Sequence, residues 1–195
     1  MISLIFSTFA IIFLAELPDK TALASLALAT RYRARDVVAG AWLAFVVQTI
    51  VAVLAGSVIH LLPAKPVHIA SGIGFLVFAV LALRRDEEEE EEEEEAAAAA
   101  QSRRGLPSWV ACFLVVFAAE WGDLTQLGTA ALVARYGRPL PIAIGAIGGE
   151  WAVALLAALT GSQLSRFLTP VVLNRAGAAL FTVVGIFVIA TAFIG

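Results

Sequence analysis

The chain has 195 residues, 61% of them hydrophobic and 15% charged, and a mean hydropathy of +0.91. A soluble domain is about a quarter charged, so this composition excludes one and marks an integral membrane protein. The net charge of −3 conceals a basic chain, because nine of the acids form one run from Glu87 to Glu95, and the lone Cys112 excludes an internal disulfide or a multi-thiolate metal site.

A helix needs about 20 apolar residues to cross a hydrocarbon core of about 30 Å. Six segments qualify: Ile2 to Thr30, Val37 to Leu61, Val67 to Leu83, Leu106 to Ala134, Leu140 to Gln163 and Val171 to Phe193. The first has no Lys or Arg before it and runs past signal-peptide length, so it reads as a retained first helix. The first and fourth are longer than the core requires, and such segments tilt or break. Residues 86–105 hold the Glu run, Ala96 to Ala100, Arg103 and Arg104. They read as a solvated linker whose dense negative field gathers cations near one mouth of the protein.

An internal repeat decides the expected fold. An offset of 104 superposes Phe13 on Phe117, Glu16 on Glu120, Asp19 on Asp123, Thr21 on Thr125 and Tyr32 on Tyr136. One residue later, an offset of 105 superposes Gly40 on Gly145, Gly56 on Gly161 and Gly72 on Gly177. Residues 1–85 and 106–195 are thus two copies of a three-helix unit. An odd helix count makes the second copy enter from the opposite side, so the fold class is all-α, with six transmembrane helices in two inverted-topology repeats. Arg31, Arg33, Arg35, Arg84, Arg85, Arg103, Arg104, Arg166 and Arg175 fall in or beside loops one, three and five, against Lys65, Arg135 and Arg138 in loops two and four. This asymmetry places both termini outside and the acidic linker in the cytoplasm.

Outside the acidic linker and Asp36, the carboxylates are Glu16, Asp19, Glu120, Asp123 and Glu150, and all five fall within expected spans. Glu16 and Glu120 sit at the middle of their runs, where a charge costs at least about 2.5 kcal/mol and faces a cavity or a partner. On an ideal helix Glu16 with Asp19, and Glu120 with Asp123 and Gln126, share a face. An all-oxygen cluster suits hard divalent cations, whereas His60 and His68 read as solvated loop residues and Cys112 as packing. Pro18 removes a helical donor and Gly122 weakens the matching point, so both helices are expected to break beside their carboxylates. Thr21 and Thr125 reach an ion only if that unwinding occurs, and otherwise bond a backbone carbonyl at the kink. Lys20 pairs with a carboxylate when the cation is absent. Clustered acids cannot all ionise without compensation, so protons are held in the empty site and shed when the ion binds. Glu150 reads as a gate or proton carrier, or else as a partner of Lys20 or a packing hydrogen bond.

At these residues the sequence resembles the cation/proton exchangers that include eukaryotic Golgi calcium/manganese transporters and bacterial manganese exporters. Their signature is E-x-G-D-[KR]-[TS], once in each of two three-helix halves with a charged central loop. The resemblance implies Glu16, Asp19, Glu120 and Asp123 as cation ligands, supported by Thr21, Thr125 and Gln126. It implies manganese or calcium exchanged for protons, with export of manganese as in the bacterial members, and no prosthetic group. Pro18 departs from the signature Gly and Leu124 from its basic residue. The short length and Arg usage look bacterial, which points to the plasma membrane. The expected partners are the metal ion and membrane lipid, without nucleic acid, and a homodimer stays open. Two rival readings also stay open. One is a proton-coupled exporter of a small organic solute such as an amino acid; the other is an intramembrane aspartyl protease, whose G-x-G-D motif would find Glu120 in place of its first Gly.

Overall fold

The computed structural model describes residues 1–16, 28, 32–83, 105–160 and 170–193. Among the described residues the chain is helical, without strands. The helices are α1 (Ile2–Glu16), α2 (Ala34–His60), α3 (Ala64–Ala82), α4 (Ser108–Ala119), α5 (Leu124–Tyr136), α6 (Pro139–Thr160) and α7 (Pro170–Thr191). Pro18, Asp19, Lys20, Thr21 and the acidic linker lie outside the described residues.

Proline places several of the starts. Pro63 and Pro107 cap α3 and α4, and Pro139 and Pro170 open α6 and α7. Proline lacks an N–H and has a preset φ, which suits it to a first turn. Helix α2 starts at Ala34, before the apolar run, and so brings Asp36 into its first turn. There a carboxylate meets the partial positive charge of the helix end, a feature that hydropathy does not register.

Among the described residues three helices are long and apolar enough to cross a membrane: Ala34–His60, Ala64–Ala82 and Pro139–Ala157. The fourth expected span breaks, as its length and Gly122 predict, into two helices, α4 and α5, bent by 69° about a short break, and they make a fourth crossing if the pair is one span. Helix α1 and the Arg175–Thr191 part of α7 are shorter apolar helices.

The glycines set the packing directions. A β-carbon on Gly40 of α2 would lie 2.6 Å from the Trp109 carbonyl oxygen and 2.7 Å from Cβ of Cys112 in α4, and further along α2 Gly56 abuts Ala130 and Val133 of α5. Helix α2 therefore runs parallel to the α4–α5 pair. A β-carbon on Gly145 of α6 would lie 2.6 Å from the Ile5 carbonyl oxygen and 2.8 Å from Cβ of Thr8, and Gly149 abuts Phe13, so α6 runs parallel to α1. These two contact sets are the same set displaced by the repeat: Ile5, Thr8 and Phe9 shift by 104 onto Trp109, Cys112 and Phe113, while Gly40 shifts by 105 onto Gly145. The stacked Phe9–Phe13 pair, 5.6 Å between centroids, recurs as Phe113–Phe117 at 5.5 Å. Helices α3 and α7 pack antiparallel, with Gly72 against Gly185 and Lys65 over the Phe193 ring.

One end of the bundle is tied by polar contacts. His60 Nδ1–H donates to the Ala134 carbonyl oxygen at 2.8 Å, and Arg135 donates to His68 Nε2 at 3.1 Å and to Thr191 Oγ1 at 2.8 Å. The two histidines, expected as solvated loop residues, are helix residues that brace this end, His60 closing α2 and His68 lying near the start of α3. We refer to it as the turn end, because it carries the short 61–63 and 137–138 connections. A crevice of about 490 Å3 between α3 and α5 also lies on this half. Its lining is apolar apart from Ser71, so it offers no charge to an ion.

Candidate metal site

The α4–α5 break is built from its own sequence. Glu120 closes α4 at φ −89°, and Gly122 takes φ +82°, a left-handed conformation that a β-carbon makes costly. Asp123 then caps α5: its Oδ2 accepts from the Thr125 N–H at 3.1 Å and from the Thr125 hydroxyl at 3.3 Å. The Gly122 N–H donates to Gln126 Oε1 at 2.8 Å. From α2, Gln48 Nε2 donates to the Phe117 carbonyl oxygen at 2.9 Å, and Gln126 Nε2 reaches the Gln48 carbonyl oxygen at 3.5 Å. Groups that a helix break exposes are thus answered by side chains, which lets the break persist away from water.

The break corrects the ideal-helix argument for a shared face. Glu120 and Asp123 come together because one ends a helix and the other begins the next, across a 69° bend. The unwinding that Thr125 required is present, and its hydroxyl acts through Asp123. Gln126 is placed at the break, with its amide spanning Gly122 and Gln48.

Glu16, the last residue of α1, completes a trio. Glu16, Glu120 and Asp123 are 0%, 1% and 6% exposed, and each offers a carboxylate oxygen within 4.8 Å of the others. That limit is about twice a calcium–oxygen distance of about 2.4 Å, so one ion between them can touch several at once. Without positive charge the trio is costly: at an effective dielectric of about 20, two full charges at this spacing repel by about 3 kcal/mol. A hard cation or bound protons relieve it, as does a neighbouring basic side chain. The C-terminal end of α4 at Glu120 adds carbonyl partial charge that also favours a cation.

Glu150 of α6 lies in a second buried polar pair, its Oε2 accepting from the Thr49 hydroxyl of α2 at 3.0 Å, and Lys20 lies outside the described residues. Sequence reasoning missed Thr49, because the repeat aligns Glu150 near Phe45 and Gln48 rather than with its spatial neighbour. It also missed the clasp between α2 and α6, in which Trp42 and Trp151 stack at 4.5 Å between centroids. The signal was two tryptophans inside expected spans, where an indole N–H needs a partner.

The family model described as divalent cation/proton antiporter GDT1 matches the chain twice, over residues 4–90 and 108–194. Protein PAM71, chloroplastic, of Arabidopsis thaliana is 33% identical over 200 residues, covering 91% of this chain and 54% of its own length. GDT1-like protein 2, chloroplastic, of Oryza sativa subsp. japonica is 30% identical over 96% of this chain and 60% of its own. The chain therefore spans little more than half the length of these chloroplast relatives. GDT1-like protein sll0615 of Synechocystis sp. is 30% identical over 88% of this chain and 89% of its own length. No solved structure matches the chain.

Proposed function

The chain belongs to the divalent cation/proton antiporter GDT1 family, and we propose that it exchanges manganese or calcium for protons across a bacterial plasma membrane, exporting manganese. The observation that carries this reading is the buried trio of Glu16, Glu120 and Asp123, drawn from both copies of the repeat and meeting at a helix break. In this reading Asp19 completes a four-carboxylate site, with Thr21, Thr125 and Gln126 in support. Thr125 holds the Asp123 carboxylate in place, and Gln126 holds the backbone of the break.

The proposed architecture is six spans in two inverted repeats, residues 1–85 and 106–195, joined by the acidic linker 86–105. Support comes from the matched glycine contacts and phenylalanine stacks, which relate α1 against α6 to α4–α5 against α2. Such a relation gives two interchangeable packings, the basis of alternating access around a midplane site. The arginine asymmetry between loops favours the turn end as the outer face, with both termini there and the linker in the cytoplasm.

Exchange follows from competition for one negative site. A divalent cation entering the trio displaces the protons that otherwise neutralise it, and the two loads leave on opposite sides. Glu150, buried and bonded to Thr49, is proposed to carry a proton, and Lys20 to neutralise a carboxylate in the ion-free state. The test is uptake of manganese, calcium and magnesium into proteoliposomes that hold a pH-sensitive dye. The expected result is metal entry with opposing proton movement, lost in Glu120→Gln and Asp19→Asn. Metal flux indifferent to the proton gradient, with no other coupling ion present, would overturn the exchange.

A further inference from the structure

Resting on that reading, we propose that the hydroxyls of Thr8 and Thr129 form a relay site for a partly hydrated hard divalent cation. It lies between the carboxylate trio and the turn end. Two observations place it. Both side chains are 1% exposed, and neither hydroxyl has a hydrogen-bond partner. Other hydroxyls among the described residues have partners: those of Thr49 and Thr125 donate to carboxylates, and three fold back onto their own helix, Ser57 donating to the Val53 carbonyl oxygen at 2.7 Å, Thr182 to that of Ala178 at 2.8 Å and Thr191 to that of Val188 at 2.9 Å. Thr8 and Thr129 could do the same and do not. An ion path needs such oxygens, unspent while the ion is elsewhere.

The second observation is position. On α5, Thr125, Thr129 and Leu132 follow at i, i+4 and i+7 and form one stripe. The opposite stripe, Leu127, Ala130, Ala131 and Ala134, lines the apolar crevice beside α3, so the buried threonine stripe faces away from that crevice, and α5 also touches α1 and α6. Thr129 lies about 9 Å along the helix from Asp123 toward the turn end, and Thr8 about 12 Å from Glu16 in the same direction, by helical rise. Thr8 borders α6 at Gly145, one turn deeper than Ile142. Beyond the two hydroxyls, Leu132, Val133 and Ile142 pack in one buried cluster with Leu4 against it. The order from the trio outward is carboxylates, then hydroxyls, then an apolar plug. A cation leaving the trio meets two neutral oxygens that loosen its water shell only partly, so it pauses without being trapped.

The test uses the full chain and the double variant Thr8→Val/Thr129→Val, which keeps side-chain shape and removes both hydroxyls. Three quantities are read with manganese as the probe: equilibrium binding to purified protein, flux in proteoliposomes, and the thermal midpoint. The relay predicts wild-type binding, a midpoint no lower than wild type, and a flux lower by about fivefold or more. Serine at both positions restores the flux. A smaller fall in flux, with wild-type protein active, overturns the relay and leaves the proposed function standing. A wild-type chain that neither binds nor moves manganese overturns the proposed function and the relay together. Should the valines unfold the protein, Thr8→Ala/Thr129→Ala reads the same quantities against the same outcomes.

Discussion

The indole N–H of Trp42 donates to the Trp151 carbonyl oxygen, and that of Trp151 donates to the Trp42 carbonyl oxygen, each at 3.1 Å. The two rings stack with an interplanar angle of 12°. This reciprocal clasp joins α2 to α6, the helices that carry Gln48, Thr49 and Glu150 to the site. Phenylalanine in place of either tryptophan keeps most of the stack and removes one bond, at a cost of about 1 kcal/mol. Thermal unfolding in detergent should show the two single variants equally destabilised. The double variant should fall short of their sum, because the pair couples.

Gly40 and Gly145 occupy matching positions against α4 and α1, with 2.6 Å between an added β-carbon and a carbonyl oxygen in both. Alanine at either site overpacks a helix pair and should cost about 1–3 kcal/mol. The pseudo-symmetry predicts similar losses in thermal midpoint for Gly40→Ala and Gly145→Ala. A large loss at one and none at the other would count against equivalent packing in the two halves.

Gly122 separates backbone strain from crowding. An added β-carbon meets nothing within 4 Å, yet φ is +82°. Gly122→Ala should therefore cost about 1–2 kcal/mol through conformation alone. It should also weaken manganese binding, because relaxing the strain changes the angle at which Glu120 and Asp123 meet. Unchanged binding would show that the site does not depend on the break.

Much of the fold was legible because duplication leaves a periodic record. The offsets that aligned Glu16 with Glu120 and Gly40 with Gly145 also describe the contacts, and Gly122 announced the break through its missing side chain. The break also shows where one-helix geometry falls short: the shared face of Glu120 and Asp123 depends on a bend, which spacing cannot supply. Contacts between helices that the repeat does not align were out of reach. The offset of 105 sets Trp42 against Ile147, so nothing in the repeat pairs it with Trp151. Thr8 and Thr129 read as ordinary small polar residues of buried helices, since whether a hydroxyl bonds its own backbone depends on its rotamer.

Thr49 and Glu150 allow charge to be separated from hydrogen bonding. Glu150→Gln retains an oxygen that accepts from Thr49, now 3.0 Å away, so stability should change little while proton-coupled flux falls. Thr49→Val removes the donor and should cost about 1–3 kcal/mol in thermal stability. Full proton-coupled flux in Glu150→Gln would remove Glu150 from the proton route.

The most direct measurement is manganese binding to the purified chain by isothermal titration calorimetry, with Glu16→Gln and Glu120→Gln beside the wild type. The account predicts saturable binding that both substitutions abolish or weaken by about a hundredfold or more, since each removes one charged ligand from a buried trio. Undiminished binding in both variants, each folded, would contradict it and place the cation elsewhere.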